Sequence, residues 1–115
     1  MKILFLLNNA PYGNDKNYNA LRTAIQLQKK DQNNIIWVYL MSDSVMGALP
    51  GQKENTGQYN MGEMLSTLIK NGGEVKLCTS CAETRGVSSI IPGAVFGTLT
   101  DLTKWITESD KALTF

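Results

Sequence analysis

The sequence predicts an α/β protein with a mostly parallel five-stranded sheet and helices on both faces. Apolar runs such as residues 3–7 are continuous rather than alternating, which is typical of strands buried on both faces. Amphipathic stretches with helical spacing separate these runs. The resulting β-α-β-α-β-α-β-α-β order favours parallel strands joined by helical crossovers.

In the first half of the chain, the pattern predicts a strand over residues 2–7 and a helix over residues 16–30. A second strand is expected over residues 34–41, which are rich in β-branched and aromatic side chains. Residues 43–57 contain several glycines and a proline and predict a long connection. Connections of this length are usually functional or disordered.

The alternation continues in the second half. A helix is expected over residues 59–70, with Asn60 as its cap and Glu63 three positions further on. The sequence Asn-Gly-Gly at residues 71–73 ends this helix, because these residues tolerate left-handed backbone geometry. Residues 74–77 then form the third strand.

A final helix and two short strands complete the predicted sheet. We expect strands over residues 94–96 and 112–115, and a helix over residues 98–109. The residues that this helix is expected to turn toward the sheet are Leu99, Leu102 and Ile106.

Composition limits the classes of function. The chain has 115 residues, which fits a single domain over residues 1–115. Its net charge of +1 gives no electrostatic basis for binding nucleic acid or an anionic membrane. The apolar run at residues 2–7 is too short for a signal peptide or a membrane span. We therefore expect a cytoplasmic protein that binds neither nucleic acid nor membrane.

The two cysteines of the chain form a Cys-x-x-Cys motif at the end of the third predicted strand. Ser80 and Glu83 fit a capping box that would start a short helix beside Cys81. A thiol at a helix N-terminus is stabilised as the nucleophilic thiolate. Arg85 follows Cys78 by seven positions and Cys81 by four, so it shares a helical face with both. We expect its charge to stabilise the Cys78 thiolate.

Other roles for the pair stay open at this point. Structural zinc usually takes four nitrogen or sulfur ligands, and a chain with two cysteines and no histidine supplies two. A disulfide closing so short a loop would restrain the unfolded chain little, and pairs with this spacing are usually redox-active. Two inert buried thiols are the third alternative.

Three segments follow predicted strands at the same edge of the sheet: residues 8–15, residues 43–57 and the cysteine motif. In parallel sheets, binding sites form at the carboxyl ends of strands. We therefore expect these segments to converge on one site. The residues expected to line a pocket there are Asn9, Tyr12, Met46 and Ser80.

Nucleotide-binding fingerprints are missing from the sequence. It contains neither G-x-G-x-x-G nor G-x-x-x-x-G-K-[ST], and the segment after the first strand has the single glycine Gly13. The absence of histidine excludes Cys–His catalysis of the protease type. We expect no cofactor and no metal.

Several short motifs are spread over the chain. They are Pro-Tyr-Gly at 11–13, Tyr-Asn-Ala-Leu-Arg at 18–22, Tyr-Asn at 59–60, Gly-Glu-Val-Lys-Leu-Cys at 73–78, Arg-Gly-Val at 85–87, Gly-Thr-Leu at 97–99 and Leu-Thr-Phe at 113–115. Together they resemble the DsrE/DsrF-like family of small sulfur-relay proteins. The resemblance implies a flavodoxin-like three-layer α/β fold, assembly into trimers or hexamers, and a cysteine that carries sulfane sulfur as a persulfide.

By this resemblance, Cys78 holds the acceptor position, seven residues before the Arg of the Arg-Gly pair, while Cys81 marks an uncharacterised Cys-x-x-Cys branch. Three functions stay open. The first is a persulfide carrier with sulfur-donor and sulfur-acceptor partners. The second is a dithiol oxidoreductase in which Cys81 resolves a mixed disulfide. The third is a ligand-binding or assembly module with its pocket at residues 43–57.

We also expect a homo-oligomer, a trimer or a hexamer. Trp37, Tyr39 and Met41 alternate with Val38 and Leu40 along the second predicted strand. A small monomer has limited means of covering so much apolar surface, and exposed apolar patches usually mark contacts. The alternative is that a strand buried on both faces uses all these side chains within one chain.

Overall fold

The computed structural model describes residues 1–53 and 60–115. Its strands are Lys2–Leu7 (β1), Ile35–Leu40 (β2), Glu74–Cys78 (β3), Val95–Gly97 (β4) and Lys111–Thr114 (β5). They form one sheet in the order β4-β3-β2-β1-β5, and every neighbouring pair is parallel. The predicted α/β sheet is confirmed, with all of its strands parallel rather than most of them.

In the described parts of the chain, four α-helices connect the strands: Lys16–Lys30 (α1), Met61–Lys70 (α2), Thr79–Thr84 (α3) and Leu99–Glu108 (α4). The sheet grows in one direction from β1 to β4, and then the chain returns so that β5 pairs on the far side of β1. Crossovers between parallel strands are right-handed, so this reversal puts α4 on the face opposite α1, α2 and α3. The predicted flavodoxin-like three-layer arrangement, with helices on both faces, is confirmed.

The larger of two hydrophobic cores lies between the sheet and the α1 and α2 helices, and we call it the large core. It is built by alternate strand positions, because successive side chains of a strand point to opposite faces. Its strand residues are Ile3, Phe5, Leu7, Ile36, Val38, Leu40, Val75 and Leu77.

The small core, on the opposite face, consists of Leu4, Trp37, Tyr39, Leu102 and Trp105. The Trp37 and Trp105 rings stack with centroids 5.1 Å apart and an interplanar angle of 4°. Tyr39 meets Trp105 edge-on at 6.1 Å. Among the described residues, α4 is the one helix that packs on this face of the sheet, and its main contact is Trp105.

The predicted inner side of α4 was partly wrong. Leu102 is buried, but Leu99 and Ile106 are 67% and 43% exposed. The stacked indoles of Trp37 and Trp105 fix the rotation of the helix about its axis, so that Leu102 and Trp105 face the sheet. Leu99 is left at the first turn, which Thr98 caps together with Asp101 in a capping box.

The long connection predicted over residues 43–57 contains regular structure in its first part. Ser42–Ala48 form a 3-10 helix whose Ser44, Val45, Gly47 and Ala48 are buried. The Ser44 hydroxyl donates to the Leu7 carbonyl at 2.8 Å and fixes this turn to the end of β1. Residues 54–59, including the predicted helix start at Tyr59, lie outside the described residues.

The cap predicted for α2 is confirmed. The Asn60 side chain accepts a hydrogen bond from the backbone N–H of Glu63 at 3.0 Å. This bond satisfies one of the N–H groups that the first turn of a helix leaves without a partner.

The physical basis given for an oligomer surface on β2 was wrong. Trp37, Val38, Tyr39 and Leu40 are all buried within one chain, as expected for a strand covered on both faces. Met41, which follows β2, is half-buried. The large apolar side chains that stay exposed include Ile35 at the start of β2, and Val95, Phe96, Leu99, Ile106 and Leu113 outside it.

Within residues 1–53 and 60–115, no helix is both long enough and apolar enough to cross a membrane.

Candidate functional site: a Cys-x-x-Cys pair beside an apolar cleft

The motif lies where β3 passes directly into α3. Cys78 is the last residue of β3 and the N-cap of α3, and its Sγ accepts the backbone N–H of Cys81 at 3.3 Å. The predicted capping box of Ser80 and Glu83 was therefore wrong, because the helix begins at Thr79 and a sulfur serves as its capping acceptor. A thiolate, being charged, accepts such a bond more strongly than a neutral thiol.

Hydrogen bonds converge on Cys78. The Ser80 Oγ lies 3.3 Å from its Sγ. Burial pushes the pKa of Cys78 upward, but hydrogen bonds from the side chains and backbones of Cys81 and Ser80 outweigh it and lower the pKa below its ordinary value. Since α3 has only six residues, we attribute this effect to these individual donors rather than to a helix dipole.

Cys81 differs from Cys78. Burial and the hydrogen bond to Cys78 raise the pKa of Cys81, while a backbone hydrogen bond from Ser42 and the charge of Arg85 act in the opposite direction. Both cysteines are free and half-buried. The pair is thus polarised: its surroundings favour the thiolate form at Cys78 and the thiol form at Cys81.

Arg85 is held near Cys81 rather than beside the sulfur of Cys78. Its Nε donates to Asp43 Oδ1 at 2.8 Å, and its Nη1 donates to the Cys81 carbonyl at 3.2 Å. Its charge lowers the pKa of Cys81. The sequence suggested a role at Cys78, but α3 ends at Thr84, so Arg85 does not continue the helical face assumed for it.

Ser42 is a site residue that the sequence did not indicate. Its φ of 53° makes it the one non-glycine residue with a positive φ in the described parts of the chain. Such backbone is strained for a residue with a Cβ, and strain of this kind clusters at functional sites. Here it lies at the start of the 3-10 helix, where the Ser42 backbone hydrogen-bonds to Cys81.

An apolar cleft of about 470 Å³ opens beside Cys78, at the carboxyl ends of β2, β3 and β4. Its walls include Tyr39, Met41, Ser80, Gly97 and Leu99. Apart from Ser80, these residues were not predicted as site residues. The signal that could have found them is their position at the ends of neighbouring parallel strands, where ligands bind in such sheets.

Tyr39 forms an uncharged wall of this cleft. Its hydroxyl donates to the Thr98 carbonyl at 2.7 Å. Burial raises the pKa of Tyr39 to about 12, and the negative charges of Cys78, Asp101 and Cys81 act in the same direction. The phenol therefore stays neutral at physiological pH and presents mainly its ring to Cys78.

Of the four predicted pocket residues, the structure brings Ser80 to the cysteines. The Asn9 carbonyl accepts from Asn17 Nδ2 at 2.8 Å, and Met46 packs against the large core. Tyr12 Oη bonds to the Gln52 side chain and accepts the Met61 N–H at 3.0 Å. Asn9, Tyr12 and Met46 are not among the described residues that line the cleft. They lie toward the large core, whereas the cleft opens on the side of α4.

In the part of the chain that the structure describes, no group of three or more His, Cys, Asp or Glu side chains is arranged to hold a metal ion.

The all-parallel sheet with a cysteine at the end of β3 is consistent with the match found by sequence profile. The profile of the DsrE/DsrF-like family matches residues 1–115. The chain belongs to the DsrE/DsrF-like family.

Individual relatives agree with this assignment. The chain is 42% identical over 116 residues to protein YchN of Escherichia coli (strain K12), covering 99% of this chain and 98% of YchN. It is 33% identical over 115 residues to the Methanopyrus kandleri protein MK0008, covering 98% and 93% of the two chains.

Solved structures share the fold. The crystal structure of the Escherichia coli ychN protein superposes with a TM-score of 0.95 at 41% identity, covering 100% of this chain and 99% of that one. A Methanobacterium thermoautotrophicum protein, MTH1491, superposes with a TM-score of 0.76 at 13% identity, covering 99% and 98% of the two chains. At that low identity the likeness concerns the fold alone.

Proposed function

We propose that this protein is a persulfide carrier in which Cys78 accepts sulfane sulfur from a donor and passes it to a partner thiol. The observation that carries the proposal is the set of hydrogen bonds that lowers the pKa of Cys78 at the wall of an apolar cleft. The thiolate is the nucleophile in sulfur transfer, so a cysteine held in that form is ready to react.

In the loading step, the Cys78 thiolate attacks the outer sulfur of a donor persulfide, R–S–SH. A new S–S bond forms to Cys78, the S–S bond of the donor breaks, and the donor leaves as the thiolate R–S⁻. Cys78 then carries the persulfide Cys78–S–SH. The step exchanges one S–S bond for another and needs no additional oxidant or reductant.

In the delivery step, a thiolate of the acceptor attacks the outer sulfur, and Cys78 leaves as a thiolate. A thiol with a lower pKa is the better leaving group. The N–H of Cys81 and the hydroxyl of Ser80, both 3.3 Å from Sγ, stabilise that departing charge. The same two contacts thus favour loading and delivery.

The apolar cleft supports a role in carrying a reactive sulfur. The neutral Tyr39 ring, Met41 and Leu99 surround space large enough for an added sulfur and part of a donor or acceptor. An apolar wall limits the access of water and of charged small molecules to the persulfide. The donor and the acceptor would both reach Cys78 through this opening.

Intact-mass spectrometry after incubation with sodium tetrasulfide tests the proposal. Cys81→Ser should gain the mass of one sulfur atom, and Cys78→Ser should gain none. The Cys81→Ser variant keeps the backbone N–H that donates to the Cys78 Sγ, so it is the matched control for Cys78→Ser. Failure of Cys81→Ser to load, with its circular dichroism spectrum unchanged, would contradict the carrier function.

A dithiol oxidoreductase is the second candidate, and the position of both cysteines within one helical turn, with the Cys81 N–H 3.3 Å from the Cys78 Sγ, favours it. In that function Cys78 would attack a substrate disulfide and Cys81 would resolve the mixed disulfide. The same experiment separates the two: reaction by dithiol oxidation alone gives wild-type protein lighter by two hydrogen atoms, with no sulfur retained by Cys81→Ser.

We further propose that the protein works as a homo-oligomer, a trimer or a hexamer, in the cytoplasm. Leu99, at the edge of the cleft, and Val95, in β4, are exposed, and large exposed apolar side chains are typical of contacts. Light scattering at micromolar concentration should give a multiple of the chain mass, and the mass of a monomer would contradict this proposal. A reducing cytoplasm would keep both thiols free.

A further inference from the structure

We propose that Cys81 discharges the persulfide: its sulfur attacks the Sγ of Cys78, expels the outer sulfur as hydrosulfide and leaves a Cys78–Cys81 disulfide. This inference rests on the proposed function, because it needs a loaded Cys78. It gives the second cysteine a task that the carrier role alone leaves without explanation.

The geometry of the motif supports this step. Cys78 caps α3 and Cys81 stands in its first turn, so that the Cys81 N–H reaches the Cys78 Sγ at 3.3 Å. A disulfide between them would close a ring within one helical turn.

The two cysteines pack against different cores. Cys78 packs against the small core and Cys81 against the large core, and both cysteines line the cleft. In thiol–disulfide exchange, the attacking sulfur approaches opposite the leaving sulfur. The discharge therefore requires the outer sulfur to point away from Cys81.

The addition of sulfur to Cys78 would itself make Cys81 a better nucleophile. In the unloaded protein, the hydrogen bond and the negative charge of Cys78 raise the pKa of Cys81. In the persulfide, the charge lies on the outer sulfur, so Sγ no longer holds the Cys81 proton. The backbone of Ser42 and the charge of Arg85 then favour the Cys81 thiolate, and Asp43 holds Arg85 in place at 2.8 Å.

Atoms and electrons balance in the discharge. The persulfide Cys78–S–SH and the Cys81 thiol become the disulfide Cys78–S–S–Cys81 and hydrogen sulfide. The bond between Sγ and the outer sulfur breaks, the Sγ bond to Cys81 forms, and the Cys81 proton goes to the leaving sulfur. The outer sulfur is reduced, and the two cysteines are oxidised. A dithiol reductant, such as a reduced Cys-x-x-Cys protein, returns the pair to its starting state.

An acceptor thiol and Cys81 would therefore compete for a loaded Cys78. An acceptor that arrives in the cleft takes the outer sulfur, whereas a carrier that meets none releases sulfide. The reaction that follows this discharge must belong to a class that consumes sulfide, and a dithiol reductant must restore the carrier.

The experiment loads wild-type protein, Cys81→Ser and Cys78→Ser with sodium tetrasulfide and removes the excess by rapid gel filtration. Intact mass and free sulfide are then followed with time, without reductant. Wild type should lose the added sulfur, release one sulfide per chain and end two hydrogen atoms lighter than reduced protein. Cys81→Ser should keep its sulfur over the same period.

Each outcome of this experiment either supports or contradicts the discharge. If Cys81→Ser loads and wild type holds its sulfur just as long, the discharge is overturned and the carrier function stands. Sulfide release by wild type without a disulfide overturns it in the same way. If Cys81→Ser is folded but never loads, the carrier function fails as well. Cys78→Ser measures the sulfur that binds non-specifically at other positions, and this amount is subtracted from the values for wild type and Cys81→Ser.

Discussion

The two sides of the sheet differ in how they are covered. On one side, α1 and α2 close the large core, to which Cys81 belongs. On the other side, α4 is the one helix of the described residues that packs on the sheet, and the small core there has five buried residues. Cys78 packs at the margin of that small core, where the cleft opens.

This difference explains how the fold leaves an open cleft beside Cys78. Among the described residues, the reversal of the sheet at β5 leaves one helix on this side, and that helix begins at Leu99, beside β4. The carboxyl ends of β2 and β3 are therefore left partly open next to Cys78. Cys81 packs against the core of the closed side and Cys78 against the core of the open side, and both cysteines line the cleft.

The largest expected effect comes from removing the anchor of the open side. Trp105→Ala deletes a buried indole that stacks on Trp37, and it should lower the free energy of unfolding by about 3–5 kcal/mol. Leu99→Ala, at a mostly exposed position of the same helix, should change it by no more than about 0.5 kcal/mol. Urea unfolding followed by circular dichroism measures both. Equal losses would mean that α4 does not rest on Trp105.

A smaller effect is expected at Arg85, and it should be confined to the closed side. Arg85→Ala removes a positive charge that lowers the pKa of Cys81, so the pKa of Cys81 should rise and its alkylation at neutral pH should slow. The exposed ion pair with Asp43 contributes little, so stability should fall by less than about 1 kcal/mol.

Arg85→Lys is the matched control for that change, because it keeps the charge and loses the planar guanidinium. It should restore part of the Cys81 reactivity. If Arg85→Ala slowed Cys78 instead, with Cys81 unaffected, the assignment of Arg85 to the closed side would be wrong.

The smallest effect is expected at Ser80, on the open side. Ser80→Ala removes one of the side-chain hydrogen bonds that lower the pKa of Cys78, so the pKa of Cys78 should rise. The backbone N–H of Cys81 still bonds to Sγ, and the change should therefore be partial. The pH dependence of Cys78 alkylation measures it. Ser80→Thr, which keeps a hydroxyl, should behave like wild type.

Much of the fold could be predicted because its signals are local. The apolar run of β1, the spacing in α1 and the Asn60 cap of α2 each depend on neighbouring residues, and the structure confirms them. The face of α4 depends instead on a contact with β2. The helical period is compatible with Leu99 and Ile106 facing the sheet. The stacking of Trp105 on Trp37 fixes a different rotation of the helix, in which both side chains are exposed.

The candidate site was predictable in its cysteines and less so in their surroundings. A Cys-x-x-Cys after a strand is visible in the sequence, as is the neighbouring Ser80. The cap made by Cys78 was missed, since sulfur is not among the usual capping atoms. The left-handed backbone of Ser42 was missed too, because a serine gives no sign of a positive φ.

The most direct test of the polarised pair is the initial rate of alkylation at each cysteine of reduced wild-type protein over a range of pH, resolved by peptide mass spectrometry. Cys78 should reach half of its maximal rate at a lower pH than Cys81, because hydrogen bonds lower the pKa of Cys78 while burial and Cys78 itself raise that of Cys81. Coincident profiles, or Cys81 reacting at the lower pH, would contradict the assignment of Cys78 as the nucleophile.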